Sequence, residues 1–364
     1  MELAANSLEM GNLSEAEEAC YTAVREAETL DAGGRQLALS LQALAAISTF
    51  RGRYLRAQRL YYRAWAVLKN ACGETSPEAL AALIQVAGAC LMQQKYDEAE
   101  PLFTEAMSGL ENCRERDLSK VIQCLHGLGD IHLAAKRRVA AVMCYQRALS
   151  IHEKSQGYDV LSIITTLHKL GDLYTSEHRY AEAEPYYWRA YKIAVAVDGP
   201  DGSAAARALQ KVGEMYRLQH QLAQAEALLR RAQPILESAL GQEHAEFARH
   251  LKLLGLVYWD QARYQETAAL LAQAVSIAER TLGPDHPDVA EMLEFRARAL
   301  DTSHDAPAAR ELRERAREIR EKLRQEESAC ASADITPAPA RGQQSDRQRV
   351  PDRWNRVAGS AASS

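Results

Sequence analysis

Seven alanines recur in this chain at a step of 42 residues: Ala64, Ala106, Ala148, Ala190, Ala232, Ala274 and Ala316. Leucines keep the same step at Leu41, Leu83, Leu125, Leu167, Leu209, Leu251 and Leu293. A third register holds only small residues: Ala45, Ala87, Gly129, Gly171, Gly213, Gly255 and Ala297. A protein built around one central core has no reason to repeat itself in this way. A stack of identical supersecondary units does, because each unit buries its apolar face only against its neighbours. The 364-residue length therefore counts repeats rather than domains.

One unit shows why it folds. Leu167, Leu170, Gly171 and Tyr174 fall on one face of a helix, here called helix A. After the turn Thr175-Ser-Glu-His-Arg179, the residues Tyr180, Ala183, Tyr187, Ala190 and Tyr191 form the apolar stripe of helix B. The small residues at 171, 183 and 190 let the backbones approach, and bulk there costs about 1–3 kcal/mol by overpacking. Gly73, Gly157, Gly199, Gly241 and Gly283 recur where helix B stops, with Glu115 breaking the set. Glycine takes the left-handed conformation that ends a helix without penalty. No stretch carries a strand pattern. The prediction is an all-α protein, a right-handed α-solenoid of helix–turn–helix repeats.

These residues resemble the tetratricopeptide repeat, in a 42-residue form similar to the kinesin-light-chain type, whose signature is seen in Leu282-Gly-Pro-Asp-His-Pro-Asp-Val-Ala290. The array is expected over residues 1–327. It opens on an abbreviated unit around Leu13, Ala16 and Ala23, and ends in a degenerate capping repeat over 290–327. In that cap Leu312, Ala316, Ile319 and Leu323 leave one narrow apolar stripe. The pairs Glu311–Arg315 and Glu318–Lys322 suggest a solvated helix supported within itself. Residues 328–364 are rich in Ala, Ser, Gln and Arg and read as a disordered tail, with Trp354 its one apolar anchor.

Composition narrows the work such an array can do. A formal net charge of −5 gives no broad basic face for nucleic acid. No apolar run reaches the ~18 residues that cross a bilayer, and the N-terminus carries no secretory pattern. The seven cysteines never form Cys-x-x-Cys, so a reducing, cytoplasmic compartment is expected. No phosphate-binding glycine loop, nucleophile elbow or His-Glu-x-x-His motif occurs, so neither catalysis nor a cofactor is expected. His126–Asp130 and His168–Asp172 repeat 42 residues apart, which places two His and two Asp on one face. Neighbouring units sit roughly 9–10 Å apart, too far for one metal ion to bridge. The expectation is that these groups pair within their own helices.

The resemblance implies that helix A lines a concave groove. The positions facing it would be Gln123, His126 and Asp130; Thr165, His168 and Asp172; Arg207, Gln210 and Glu214; and Arg249, Lys252 and Trp259. The units before these offer small or apolar residues, Leu39, Ala46, Ala81, Ile84 and Gly88 among them. The groove thus runs from apolar through polar to cationic. That gradient suits an extended protein or peptide segment with an acidic end. The expected function is a non-enzymatic adaptor. The alternatives are a peptide-sensing regulator acting on an effector in trans, or a structural subunit of a larger complex. Kinesin-light-chain repeats carry Asn after the conserved Leu, whereas here that place holds Gln42, Ile84, His126, His168, Gln210 and Lys252. Cargo binding of the motor type is therefore not implied.

Overall fold

In a computed structural model, residues 13–29, 34–113, 117–154, 159–303 and 305–332 are described. They form fifteen helices and, among the described residues, no strand. The first described helix is α1 (Leu13–Thr29). Pairs then follow: α2 (Gly34–Phe50) with α3 (Tyr54–Cys72), α4 (Pro77–Met92) with α5 (Tyr96–Asn112), and α6 (Leu118–Ala134) with α7 (Arg138–Lys154). The series continues with α8 (Val160–Ser176) and α9 (Tyr180–Asp198), then α10 (Ser203–Leu218) and α11 (Leu222–Leu240). It ends with α12 (Ala245–Asp260) and α13 (Tyr264–Thr281), then α14 (Pro287–Thr302) and α15 (Ala306–Ser332). Even-numbered helices from α2 onward are A helices, and odd-numbered ones are B helices. The last helix continues past residue 327, where the repeat period stops. Gly157, Glu115 and Trp354 lie outside the described residues.

The three periodic registers are the core. All seven leucines and all seven alanines are at most 2% exposed. The small-residue register is buried at every turn of the array. Each helix from α1 to α14 packs on its sequence neighbours within that series, and α4, α6, α8 and α10 also touch the next A helix. The buried apolar residues form a succession of six clusters among the described residues, a core that grows by addition rather than around a centre.

Helix ends use two devices. At the end of helix B, Gly73, Gly199, Gly241 and Gly283 have φ between 80 and 100°. Between A and B the chain also turns through the left-handed region, at Gly52, Gln94, Lys136, His178, His220 and Ala262. Five of these six are not glycine, so sequence reading passed over the register.

The cap differs from the expected helix supported by its own i,i+4 pairs. Arg313 and Arg320 pair with Asp301 and Glu294 on α14, while Arg315 and Lys322 reach Glu279 on α13 and Asp285 in the turn between those two helices. Ala316 and Ile319 are buried in one apolar cluster with residues of α13 and α14, and Leu312 and Leu323 pack against it. A cation finds a fixed carboxylate on the neighbouring helix better placed than the mobile one a turn away on its own.

The two ends of the array also meet. The turn after α2 lies against the start of α14, and Arg53 pairs with Glu326 of α15 at 3.0 Å.

Candidate binding groove on the A helices

The A helices present the expected side chains along one face. Gln123, Thr165, Arg207 and Arg249 are exposed there. His126, Asp130, His168, Asp172, Gln210, Glu214, Lys252 and Trp259 are half-buried. Six of these twelve come together in one cleft of about 670 Å³ between α8, α10 and α12. They are His168, Arg207, Gln210, Glu214, Arg249 and Lys252, joined by Lys211, Glu246, Leu253 and Leu256. Gln123, His126, Asp130, Thr165, Asp172 and Trp259 are not among its lining residues. Trp259 instead packs against Tyr264 and Phe295, with ring centroids 5.0 and 5.6 Å away. At the apolar end Leu39 is exposed, whereas Ile84 is turned into the core.

The histidines and aspartates do not pair within their helices. Tyr145 Oη donates to Asp130 at 2.6 Å, and Lys169 Nζ donates to both Asp130 oxygens at 2.7 Å. One unit later Tyr187 Oη donates to Asp172 at 2.7 Å, and Lys211 Nζ donates to its oxygens at 3.0 Å. The same Tyr–Asp–Lys triad is therefore built twice from three consecutive helices. Burial, then the Asp130 carboxylate, push the Tyr145 phenol up, and Tyr187 responds in the same way to burial and Asp172. Both tyrosines stay protonated donors. Burial alone would lower the Lys211 ammonium, but Asp172 and Glu214 outweigh it and raise it. Among the described residues no cluster of three or more His, Cys, Asp or Glu side chains is arranged to hold a metal ion.

The histidines look to the next unit. His126 Nε2 lies 2.8 Å from Thr166 Oγ1, which itself donates to the Ser162 carbonyl. That hydroxyl proton is committed, so neutral His126 must be the donor, carrying its hydrogen on Nε2. Two units on, Gln210 Nε2 donates to His250 Nδ1 at 3.1 Å. Between them the position equivalent to Thr166 is Ala208, and His168 Nε2 is buried with no partner. Burial lowers His126 to about 3, and His168 and His250 to about 4, so all three are neutral near pH 7.

The groove cations are likewise engaged. Arg207 pairs with Glu246 at 2.5 Å, Arg217 with Asp260 at 2.7 Å, and Lys252 with Glu291 at 2.7 Å. Arg249 is the loosest of them, 3.7 Å from Asp288 and 56% exposed. With Lys169–Asp130 and Lys211–Asp172, these form a ladder along the A helices from α6 through α8, α10 and α12 to α14. The cationic end seen in the sequence is therefore largely neutralised by carboxylates one unit away. Sequence reading missed those partners, although the signal was available as opposite charges 39 or 43 residues apart.

A stack of paired helices with a side-chain-lined A-helix face defines an α-solenoid interaction scaffold, a class whose fold is generally non-catalytic. The tetratricopeptide-repeat family model matches residues 36–112, 78–154, 120–194, 162–238 and 246–322, and the chain belongs to that family. No curated protein sequence matches it. Among solved structures it is similar to apo RapI, at 15% identity and a TM-score of 0.54, over 79% of this chain and 99% of RapI. It is also similar to the tetratricopeptide-repeat sensor protein PH0952 of Pyrococcus horikoshii, at 16% identity and a TM-score of 0.51, over 81% of this chain and 44% of that one. A third similarity is to kinesin light chain TPR-like repeats of Podosopora anserina, at 22% identity and a TM-score of 0.46, over 58% of this chain and 100% of that one. At these identities the likeness is one of fold. No helix among the described residues is long and apolar enough to cross a membrane.

Proposed function

We propose that this protein is a non-enzymatic adaptor that captures an extended segment of a partner protein on the concave A-helix face. The observation that carries the reading is the cleft between α8, α10 and α12, where apolar Leu253 and Leu256 lie among four cations and two carboxylates. Such a lining suits a peptide with an apolar side chain followed by a carboxylate. The apolar group would cover the leucines, and the carboxylate would compete with Asp288 for Arg249. The partner's acid must displace an existing acid, so binding exchanges one ion pair for another, and charge sets specificity more than affinity.

The test is affinity capture from native lysate with the wild-type protein and with Arg207→Gln/Arg249→Gln/Lys252→Gln, identifying retained proteins by mass spectrometry. Circular dichroism confirms that both are folded. A partner held by wild type and lost by the variant is the expected result. Equal retention by both overturns the groove assignment.

A further inference from the structure

Gly52 is the odd member of its register. The equivalent turns carry Gln94, Lys136, His178, His220 and Ala262, all in the left-handed region with φ between 58 and 61°. The turn therefore tolerates a side chain, and backbone conformation does not explain a glycine at 52. Its surroundings do. A Cβ on Gly52 would lie 2.5 Å from Pro287 Cδ and 2.6 Å from Pro287 Cγ, more than 230 residues away in sequence. Beside this contact His286 Nε2 lies 3.1 Å from the Phe50 carbonyl, while His286 Nδ1 accepts the Asp288 amide at 3.0 Å. With Nδ1 occupied as an acceptor, neutral His286 carries its hydrogen on Nε2 and donates it to Phe50. Arg53 completes the contact, reaching Glu326 of α15 at 3.0 Å. On the other side Glu17 of α1 clamps the turn through Arg51 and Arg56, each at 2.8 Å.

We propose that this seam is an intramolecular latch that closes the array on itself and sets how open its concave face is. The seam is wired to the groove through one residue. Asp288 lies 3.7 Å from Arg249 and 3.9 Å from His286, and His286 holds Phe50. A carboxylate that draws Arg249 away from Asp288 changes the charge beside the latch. Groove and latch are thereby coupled, and an opening that favours one ligand state is favoured by it in return. A solenoid whose units touch only their neighbours bends readily, so one small contact between its ends governs a large change in extent.

The test needs no partner, so its failure is separable from failure of the groove reading. Small-angle scattering and hydrogen–deuterium exchange are compared for wild type, Gly52→Gln and His286→Asn. The first variant installs the side chain that the next unit carries at Gln94. The second keeps an N-cap but is too short to reach Phe50, and it serves if Gly52→Gln does not fold. Opening is expected to raise the radius of gyration and to speed exchange in segments 50–56 and 286–290 several-fold, with exchange in α6–α11 unchanged. Arg249→Gln is expected to speed exchange in 286–290 alone. Superimposable scattering curves, with the two seam segments exchanging equally fast in wild type and both variants, would overturn the latch.

Discussion

At the scale of single residues, the small register is matched to what packs on it. Tyr187 sits over Gly171, where an added Cβ would lie 2.5 Å from Cε1 of a ring that is 1% exposed and held by Asp172. Leu271 leaves ordinary contact distance over Gly255, 3.6 Å to Cγ. The same substitution should therefore have opposite signs two units apart. Gly171→Ala is expected to cost about 1–3 kcal/mol through overpacking. Gly255→Ala is expected to gain up to about 1 kcal/mol from helix propensity. Urea midpoints of the two variants check this, and a loss in both would mean the Gly255 site is tighter than its contacts indicate. The buried histidines give a second prediction. His126, His168 and His250 are depressed by burial to about 3, 4 and 4, against ~6.5 in the unfolded chain. Below ~6.5 the unfolded state binds the extra protons, so their contribution is complete above that pH and is lost as pH falls toward 4. Each lost proton-binding difference is worth at most about 1.4 kcal/mol per pH unit. Stability measured between pH 7 and 5 should decline, and His250→Gln should flatten the slope. A slope unchanged by that variant would show that His250 is not the group being titrated.

At the scale of elements, what the sequence displayed was its own period. Helix A and helix B, their glycine stops and the buried Leu and Ala registers all follow from contacts within a unit or between adjacent units. These contacts repeat at every step and so are visible as spacing. Contacts made by one unit and not the next were harder to see. The Tyr145–Asp130–Lys169 triad appears in two units only, and reading His126 with Asp130 along one helix overlooked the tyrosine that arrives from the following one. The left-handed turn residues were hidden because Gln, Lys, His and Ala carry no turn signature. The cap was legible as an apolar stripe but not as a docked element, since its four arginine and lysine pairs reach 12 to 37 residues back. Its role can be tested by Ile319→Asp, which places a charge at a site only 4% exposed. An unpaired buried charge is strongly destabilising, by roughly 3–5 kcal/mol. Because a repeat array opens unit by unit, the loss is expected first as rapid hydrogen exchange in α14 and α15, with α4–α9 still protected. Uniform loss of protection would mean that the array melts as one cooperative body.

At the scale of the whole array, the ladder of charges changes what a charge-reversal experiment means. From sequence, reversing Arg207, Arg249 and Lys252 to Glu should abolish binding and leave the fold untouched. Each of these cations, however, stands beside a carboxylate of the next A helix: Glu246, Asp288 and Glu291. Reversal would set three acid–acid contacts across two successive joints, α10 with α12 and α12 with α14. An exposed pair is worth only about 0–1 kcal/mol, and its inversion costs a similar amount again. The triple variant should therefore lose roughly 2–4 kcal/mol, whereas the triple Gln variant forfeits only the attraction. The cause can be isolated by salt, because the screening length falls from ~10 Å at 0.1 M to ~3 Å at 1 M. Urea midpoints of wild type and the two variants should differ most at low salt, and the Glu variant should recover more than the Gln variant on adding 1 M sodium chloride. Equal midpoints for all three proteins at low salt would show that the ladder carries no stability. The groove would then be free to give up every one of these pairs to a partner at no cost to the joints between its units.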